Sequence, residues 1–348
     1  MPKISIGRFV GLLLSAAAIG ALSTYGFGET LVNGAGATFP YPIYSKWFNE
    51  YRKLHPDIQI NYQSIGSGGG IRQVTEGTVD FGATDGPMND DQLQEFQKKR
   101  GSGVLHLPTV LGAVVVTYNV AGVSSSLNLT PEAIAAIFLG KVTRWNDPAI
   151  GSANPNVTLP DADIVVVHRS DGSGTSYCWT DYLSKISEEW KTKVGKGTSV
   201  NWPVGLGGKG NEGVSGQIKQ TADSIGYVEL IYAIQNNLPY ANVKNAAGVF
   251  VKPDLASTTA AAASASKSMP EDFRVSITNA SGNNAYPIST FTWLLIPEKI
   301  ADPAKNKAIV DFLRWMLSSG QDFAEGLTYA RLPKEVIAME EKAIARVK

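Results

Sequence analysis

The chain has 348 residues, 43% hydrophobic and 18% charged, an ordinary globular composition with room for two domains. Lys plus Arg and Asp plus Glu each total 31, so the net charge is zero and the basic excess expected of a nucleic-acid binder is missing. One cysteine, Cys178, leaves no intramolecular disulfide, and three scattered histidines argue against a metal site.

Residues 1–28 read as a secretory leader. Lys3 and Arg8 give a positive start, and "FVGLLLSAAAIGAL" is an apolar run too short for a membrane span of ~20 residues. Cleavage is expected after Ser23 or near Gly28, which places the mature chain in the periplasm. No cysteine follows the apolar run, so a lipid anchor is not supported.

The mature chain alternates strands and helices. Ile43, Trp47, Tyr51 and Leu54 recur at helical spacing in "TFPYPIYSKWFNEYRKLH", with the prolines at the front, where a helix tolerates them. "IQINY" alternates like a strand, "GSGGG" turns, and "IRQVTEG" predicts a short helix. "VDFGAT" is the next strand and ends at Asp85; "DDQLQEFQKKR" is a polar helix. "VLGAVVVTYNV" is a continuous apolar run, the mark of a strand covered on both faces.

A second unit begins there. Thr130 and Pro131 open the helix "PEAIAAIFLG", and "ADIVVVHR" is a buried strand running into "SDGSGTS" and the helix "TSYCWTDYLSKI". Cys178 on that helix reads as core filler. "SIGYVEL" and "STFTWLLIP" are further strands, and "NKAIVDFLRWMLSSG" and "PKEVIAMEEKAIARV" are closing helices. The tract 256–268, "ASTTAAAASASKS", reads equally as a linker or a surface helix. The fold class is therefore α/β: two lobes, each a mainly parallel sheet flanked by helices, with the ligand beyond the carboxyl ends of the strands.

Three glycine-rich helix starts carry hydroxyls: Thr38 in "GAGATFPYP", Ser67 in "GSGGG", and Ser173 and Thr175 in "RSDGSGTS"; of these, Ser67 and Arg169 to Thr175 follow strand ends. A helix start presents unpaired N–H groups and partial positive charge, and Arg169 adds a planar donor set that Asp171 can fix. The turns together suit a small oxyanion held by dipoles; "RSDGSGTS" alone could equally be a capped helix with Arg169 at the surface. "GLGGKG" at 205–210 matches a dinucleotide fingerprint but lacks a strong strand before it and an acidic partner. His168, Asp171 and Ser173 share one short loop, which argues against a hydrolase triad.

The stretches "GAGATFPYPIYSKW", "YQSIGSGGG", "VDFGATDGPM", "RSDGSGTSY", "WPVGLGGKGNEGV" and "IGYVEL" resemble the phosphate-binding proteins of bacterial phosphate-specific ABC transporters, from about residue 31 to the closing helices. The resemblance implies a type II periplasmic binding protein with two hinge crossings near 114 and 286. Lobe 1 would be 29–113 with 286–348, and lobe 2 would be 114–285. It implies a non-enzymatic monomer without cofactor or metal that binds inorganic phosphate and delivers it to a membrane permease with a cytoplasmic ATPase. Carried over by position, Thr38 and Ser67 donate hydroxyl and N–H, Phe39 an N–H, Ser173 a hydroxyl, Gly174 an N–H, and Thr175 both. Arg169 donates, held by Asp171, and Asp85 accepts. An aspartate offers only acceptors, so it favours an oxyanion that still carries a proton, phosphate over sulfate. Two other readings remain at this stage: a secreted phosphatase, and a receptor for arsenate, whose protonation resembles that of phosphate.

Overall fold

The computed structural model of the protein describes residues 29–123, 126–263 and 269–348. The expected leader at 1–28 and the second part of the alanine–serine tract, 264–268, lie outside the described residues.

Eleven strands are described: β1 (Thr30–Gly36), β2 (Ile58–Ser64), β3 (Phe81–Thr84), β4 (Val104–Asn119), β5 (Asn128–Leu129), β6 (Val165–Arg169), β7 (Leu206–Gly208), β8 (Ser224–Glu229), β9 (Asn242–Lys244), β10 (Phe250–Val251) and β11 (Ser289–Pro297). The helices are α1 (Tyr41–Leu54), α2 (Ser67–Glu76), α3 (Asp90–Arg100), α4 (Pro131–Phe138), α5 (Pro148–Gly151), α6 (Gly174–Ile186), α7 (Glu188–Lys193), α8 (Gly210–Gln220), α9 (Leu230–Gln235), α10 (Leu255–Ala262), α11 (Pro303–Leu317) and α12 (Lys334–Ile344).

Eight strands form one sheet in the order β2-β1-β3-β11-β4-β8-β6-β7. Parallel trios or pairs lie at its two ends, β2-β1-β3 and β8-β6-β7, as expected for βαβ units. Between these parallel ends, β11 runs antiparallel to both β3 and β4, and β4 antiparallel to β8, so antiparallel strands join the two mainly parallel halves. β4 joins the halves. Residues 104–108 and 110–113 pair with β11, and residues 114–119 pair with β8. Nearly all of this strand is buried, which explains its unbroken apolar run.

Helices cover both ends. α1 buries Ile43, Tyr44, Trp47, Phe48 and Tyr51 against the core, each such side chain contributing roughly 1.5–3 kcal/mol. α3 starts in a capping box on Asn89 and stops at Gly101 in the left-handed region, so its polar sequence is held by its ends and the buried Phe96. Of the alanine-rich tract, residues to Ala262 belong to α10, capped by Asp254 and buried at Thr258, Ala261 and Ala262. Cys178 is buried in the core.

Candidate functional site

The carboxyl ends of β1, β2 and β3 lead to Thr38, Ser67 and Asp85; the ends of β6 and β7 lead to Arg169 and Gly210. These ends converge. Gly68 N–H donates to the Gly172 carbonyl at 2.9 Å, so α2 and the turn before α6 touch through their backbones. A side chain at Gly172 or Gly68 would collide there, with about 3.1–3.2 Å left for a Cβ. At Gly174 a Cβ would lie 2.4 Å from Ser67 Oγ and 2.6 Å from Asp85 Oδ2, so only glycine brings the start of α6 against both.

All nine sequence-predicted residues lie at this convergence or brace it. Thr38, Phe39, Ser67, Asp85, Arg169, Ser173 and Thr175 are buried. The amides of Ser67, Gly174 and Thr175 stand in the first turns of α2 and α6, where no helical acceptor exists for them.

Arg169 is 1% exposed at its side chain, which removes the surface reading. Its Nε and Nη2 donate to Asp171 at 2.8 and 2.6 Å, and Nη1 donates to Thr175 Oγ1 at 3.3 Å. Asp171 also accepts the Gly210 N–H at 3.0 Å. Burial raises the Asp171 carboxyl, but its bonds to Arg169 outweigh burial and hold it below the usual range. Asp171 thus fixes the guanidinium plane and is saturated by doing so.

Asp85 differs. Oδ1 accepts from Thr292 Oγ1 at 2.8 Å, while Oδ2 is buried without a hydrogen-bond partner. Burial pushes this carboxyl up to about 7, with Thr292 and Arg169 pulling it down. A buried, unpartnered carboxylate oxygen costs free energy in the folded chain, and this one leaves an acceptor open among the surrounding donors.

The hydroxyls are ordered by protein donors. Ser67 Oγ accepts the Asp85 N–H at 3.2 Å, and Ser173 Oγ accepts the Ser176 N–H at 3.0 Å as the cap of α6. Thr38 and Thr175 both accept from Asn211.

His168 stacks on Trp202 at 4.7 Å and its Nδ1 meets the Arg169 carbonyl. Asp171 is spent on Arg169, and Ser173 caps α6, so no hydrogen-bonded triad joins the three. Among the described residues no group of three or more His, Cys, Asp or Glu is placed to hold a metal ion, and no helix is long and apolar enough to cross a membrane.

A family model described as a PBP superfamily domain matches residues 19–319. The chain is 47% identical to the phosphate-binding protein PstS of Xylella fastidiosa, covering 89% of this chain and 84% of that one. The chain belongs to the PstS phosphate-binding protein family. A second relative, PstS of Pasteurella multocida, is 46% identical over 88% of this chain and 87% of its own. PstS of Methanocaldococcus jannaschii is 41% identical over 91% and 86%. Two solved structures share the fold. One, described as a high-affinity periplasmic phosphate-binding protein (PfluDING) bound with phosphate, has a TM-score of 0.71 at 20% identity, covering 89% of this chain and 93% of the other. The phosphate-binding protein of Stenotrophomonas maltophilia has a TM-score of 0.69 at 18% identity, covering 90% and 93%. The architecture is thus the two-lobed binding-protein fold.

Within this PstS-family chain, sequence reasoning passed over Thr292 and Asn211. Thr292 alternates with apolar neighbours in "STFTWLLIP", and a hydroxyl inside a strand buried on both faces was a usable signal. Asn211 directly follows "GLGGKG". That motif forms β7 and the turn into α8, and its last glycine donates to Asp171.

Proposed function

We propose that this chain binds inorganic phosphate in the cleft between its two lobes and delivers it to a membrane permease powered by a cytoplasmic ATPase. Export as a monomer to the periplasm, after removal of a leader near residues 23–28, completes the reading. Lobe 1 is assigned residues 29–113 and 286–348, and lobe 2 residues 114–285. The change of partners along β4, between Ala113 and Val114, supports the first crossing. Thr38, Phe39, Ser67, Ser173, Gly174 and Thr175 are assigned as donors to the anion, with Arg169 braced by Asp171. The reading is supported by relatives named for phosphate binding at 41–47% identity.

The observation that carries it is the pairing of a donor-lined cleft with one unfilled acceptor, Asp85 Oδ2. Donors recognise any small oxyanion. The acceptor selects one that still bears hydrogen, because sulfate would set lone pair against lone pair. A site built to bond a ligand group discriminates against the analogue lacking it by about 10⁴-fold.

Calorimetry with phosphate and sulfate tests this. At about pH 8 or above, where Asp85 is largely ionised, the parent protein is expected to bind phosphate far more tightly than sulfate. Asp85→Asn should narrow the ratio between the two anions at least about 10-fold, and Arg169→Ala should weaken phosphate about 100-fold through lost charge-assisted bonds. An unchanged ratio in Asp85→Asn would remove Asp85 from the selectivity mechanism.

A further inference from the structure

Asn211 is fully buried at the second residue of α8, and every polar atom of its side chain is committed. Its Oδ1 accepts the Glu229 backbone N–H at 2.9 Å. That N–H can only donate, so the amide orientation is fixed and both Nδ2 hydrogens face the other way. One goes to Thr38 Oγ1 at 2.7 Å and one to Thr175 Oγ1 at 3.2 Å. The backbone N–H of Asn211 adds a second bond to Thr38 Oγ1 at 3.2 Å.

A threonine hydroxyl has two acceptor lone pairs and one hydrogen to give. Thr38 receives two protons from Asn211. Thr175 receives one from Asn211 and one from Arg169 Nη1. Both oxygens are therefore filled as acceptors, and each retains a single capacity, donation of its own hydrogen. Left alone, either hydroxyl could rotate to accept from a protonated ligand oxygen and blur the proton count that Asp85 imposes.

We infer that Asn211 is a positioning residue that sets the hydrogen-bond polarity of the two threonines: it restricts Thr38 and Thr175 to donation, so that neither competes with Asp85 for a ligand proton. This rests on the phosphate reading above. Asn211 need not touch the anion; it acts through the two hydroxyls, one on each side of the cleft. Its consequence is a preference for the phosphate form with fewer protons, because an additional P–O–H that faces Thr38 or Thr175 finds only a donor there.

The test is phosphate calorimetry at about pH 8, where phosphate mostly carries one proton, and about pH 5.5, where it mostly carries two; Asp85 also takes up a proton over this range, in every variant alike, so each loss is read against the parent at the same pH. Parent protein, Asn211→Ala and Asn211→Asp are compared, with ligand-free thermal unfolding as a check on folding. In Asn211→Ala the hydroxyls regain acceptor capacity, so affinity should fall about 10-fold at the higher pH and at least several-fold less at the lower one. Asn211→Asp keeps the volume and the bond from Glu229 N–H but presents acceptors to Thr38 and Thr175. Those hydroxyls would then turn their hydrogens to the carboxylate, and the loss at the higher pH should exceed that of the alanine variant and recover as the carboxyl protonates. A purely structural role predicts equal losses at both pH values, and that result, or no loss in either variant, overturns the inference. If the parent protein itself binds no phosphate, the functional reading fails first, and the two failures are told apart by that arm.

Discussion

Asp85 and Asp181 are both buried aspartates beside α6, and they are treated in opposite ways. Asp181 lies in the middle of that helix. Ser276 and Thr278 donate to its Oδ2 at 2.5 Å each, Lys185 stands 3.1 Å from the same atom, and Lys196 donates to Oδ1 at 3.0 Å. Burial raises its carboxyl, but these donors together bring it down to about 2. Asp85 has one side-chain donor, Thr292, and one bare oxygen, and its carboxyl sits near 7. The saturated carboxylate ties segment 276–278 to the helix and has nothing left to offer. The unsaturated one destabilises the fold and has an acceptor free for a ligand. Under the proposed phosphate reading, that open valence is what separates Asp85 as a binding group from Asp181 as a structural one.

The largest break in this comparison should come from Asp181→Ala. The buried Thr278 hydroxyl and the exposed Ser276 hydroxyl lose their shared acceptor, and stability should fall by about 1–3 kcal/mol in chemical denaturation. Phosphate affinity of the folded fraction should change less than about threefold. Asp181 holds its charge more tightly when folded, so its contribution is present above about pH 4 and fades as pH falls toward 2.

Asp85→Asn should act the other way. The folded carboxyl keeps a proton that the unfolded chain, near 3.8, has released, so parent stability declines as pH rises from about 4 to about 7 and stays low beyond. The ligand-free variant lacks this decline. Its advantage over the parent should be on the order of 2–3 kcal/mol greater at about pH 8 than at about pH 5. An advantage independent of pH would mean that Asp85 is not shifted. Below about pH 7 the same protonation turns Asp85 from acceptor to donor, so the preference for phosphate over sulfate in the parent should shrink as pH falls.

The smallest effect is assigned to Thr292→Val, which deletes the single donor to Asp85 at nearly constant volume. The Asp85 carboxyl should rise by about one further pH unit, read by carbon NMR of the ligand-free protein. A carboxyl that does not move would assign the bond no weight.

Much of this contrast was legible in the residues. The bounds of α3, α6 and β11 follow from their caps and apolar runs, and the hydroxyl-bearing turns announced the donors. β1 was missed because "TLVNGAG" is poor in strand formers; Gly34 is accommodated there because the Phe81 ring fills the space a Cβ would need. β4 begins at Val104, before the apolar run suggested, and Pro108 disguises it. A register shift beside Pro108 leaves Thr109 outside the pairing, where it bonds the Tyr44 hydroxyl. The unequal treatment of Asp85 and Asp181 could not be read locally. Their partners Thr292, Ser276 and Thr278 lie 95–207 positions away.

β11 enters the sheet between β3 and β4 after nearly all the chain has been made. Until its nine residues emerge from the ribosome, β3 has a bare edge on that side, and Asp85 lacks the hydroxyl donor of Thr292. Synthesis therefore leaves the early half unlocked almost to its end. A fragment ending before Ser289 would therefore display an open strand edge prone to aggregation.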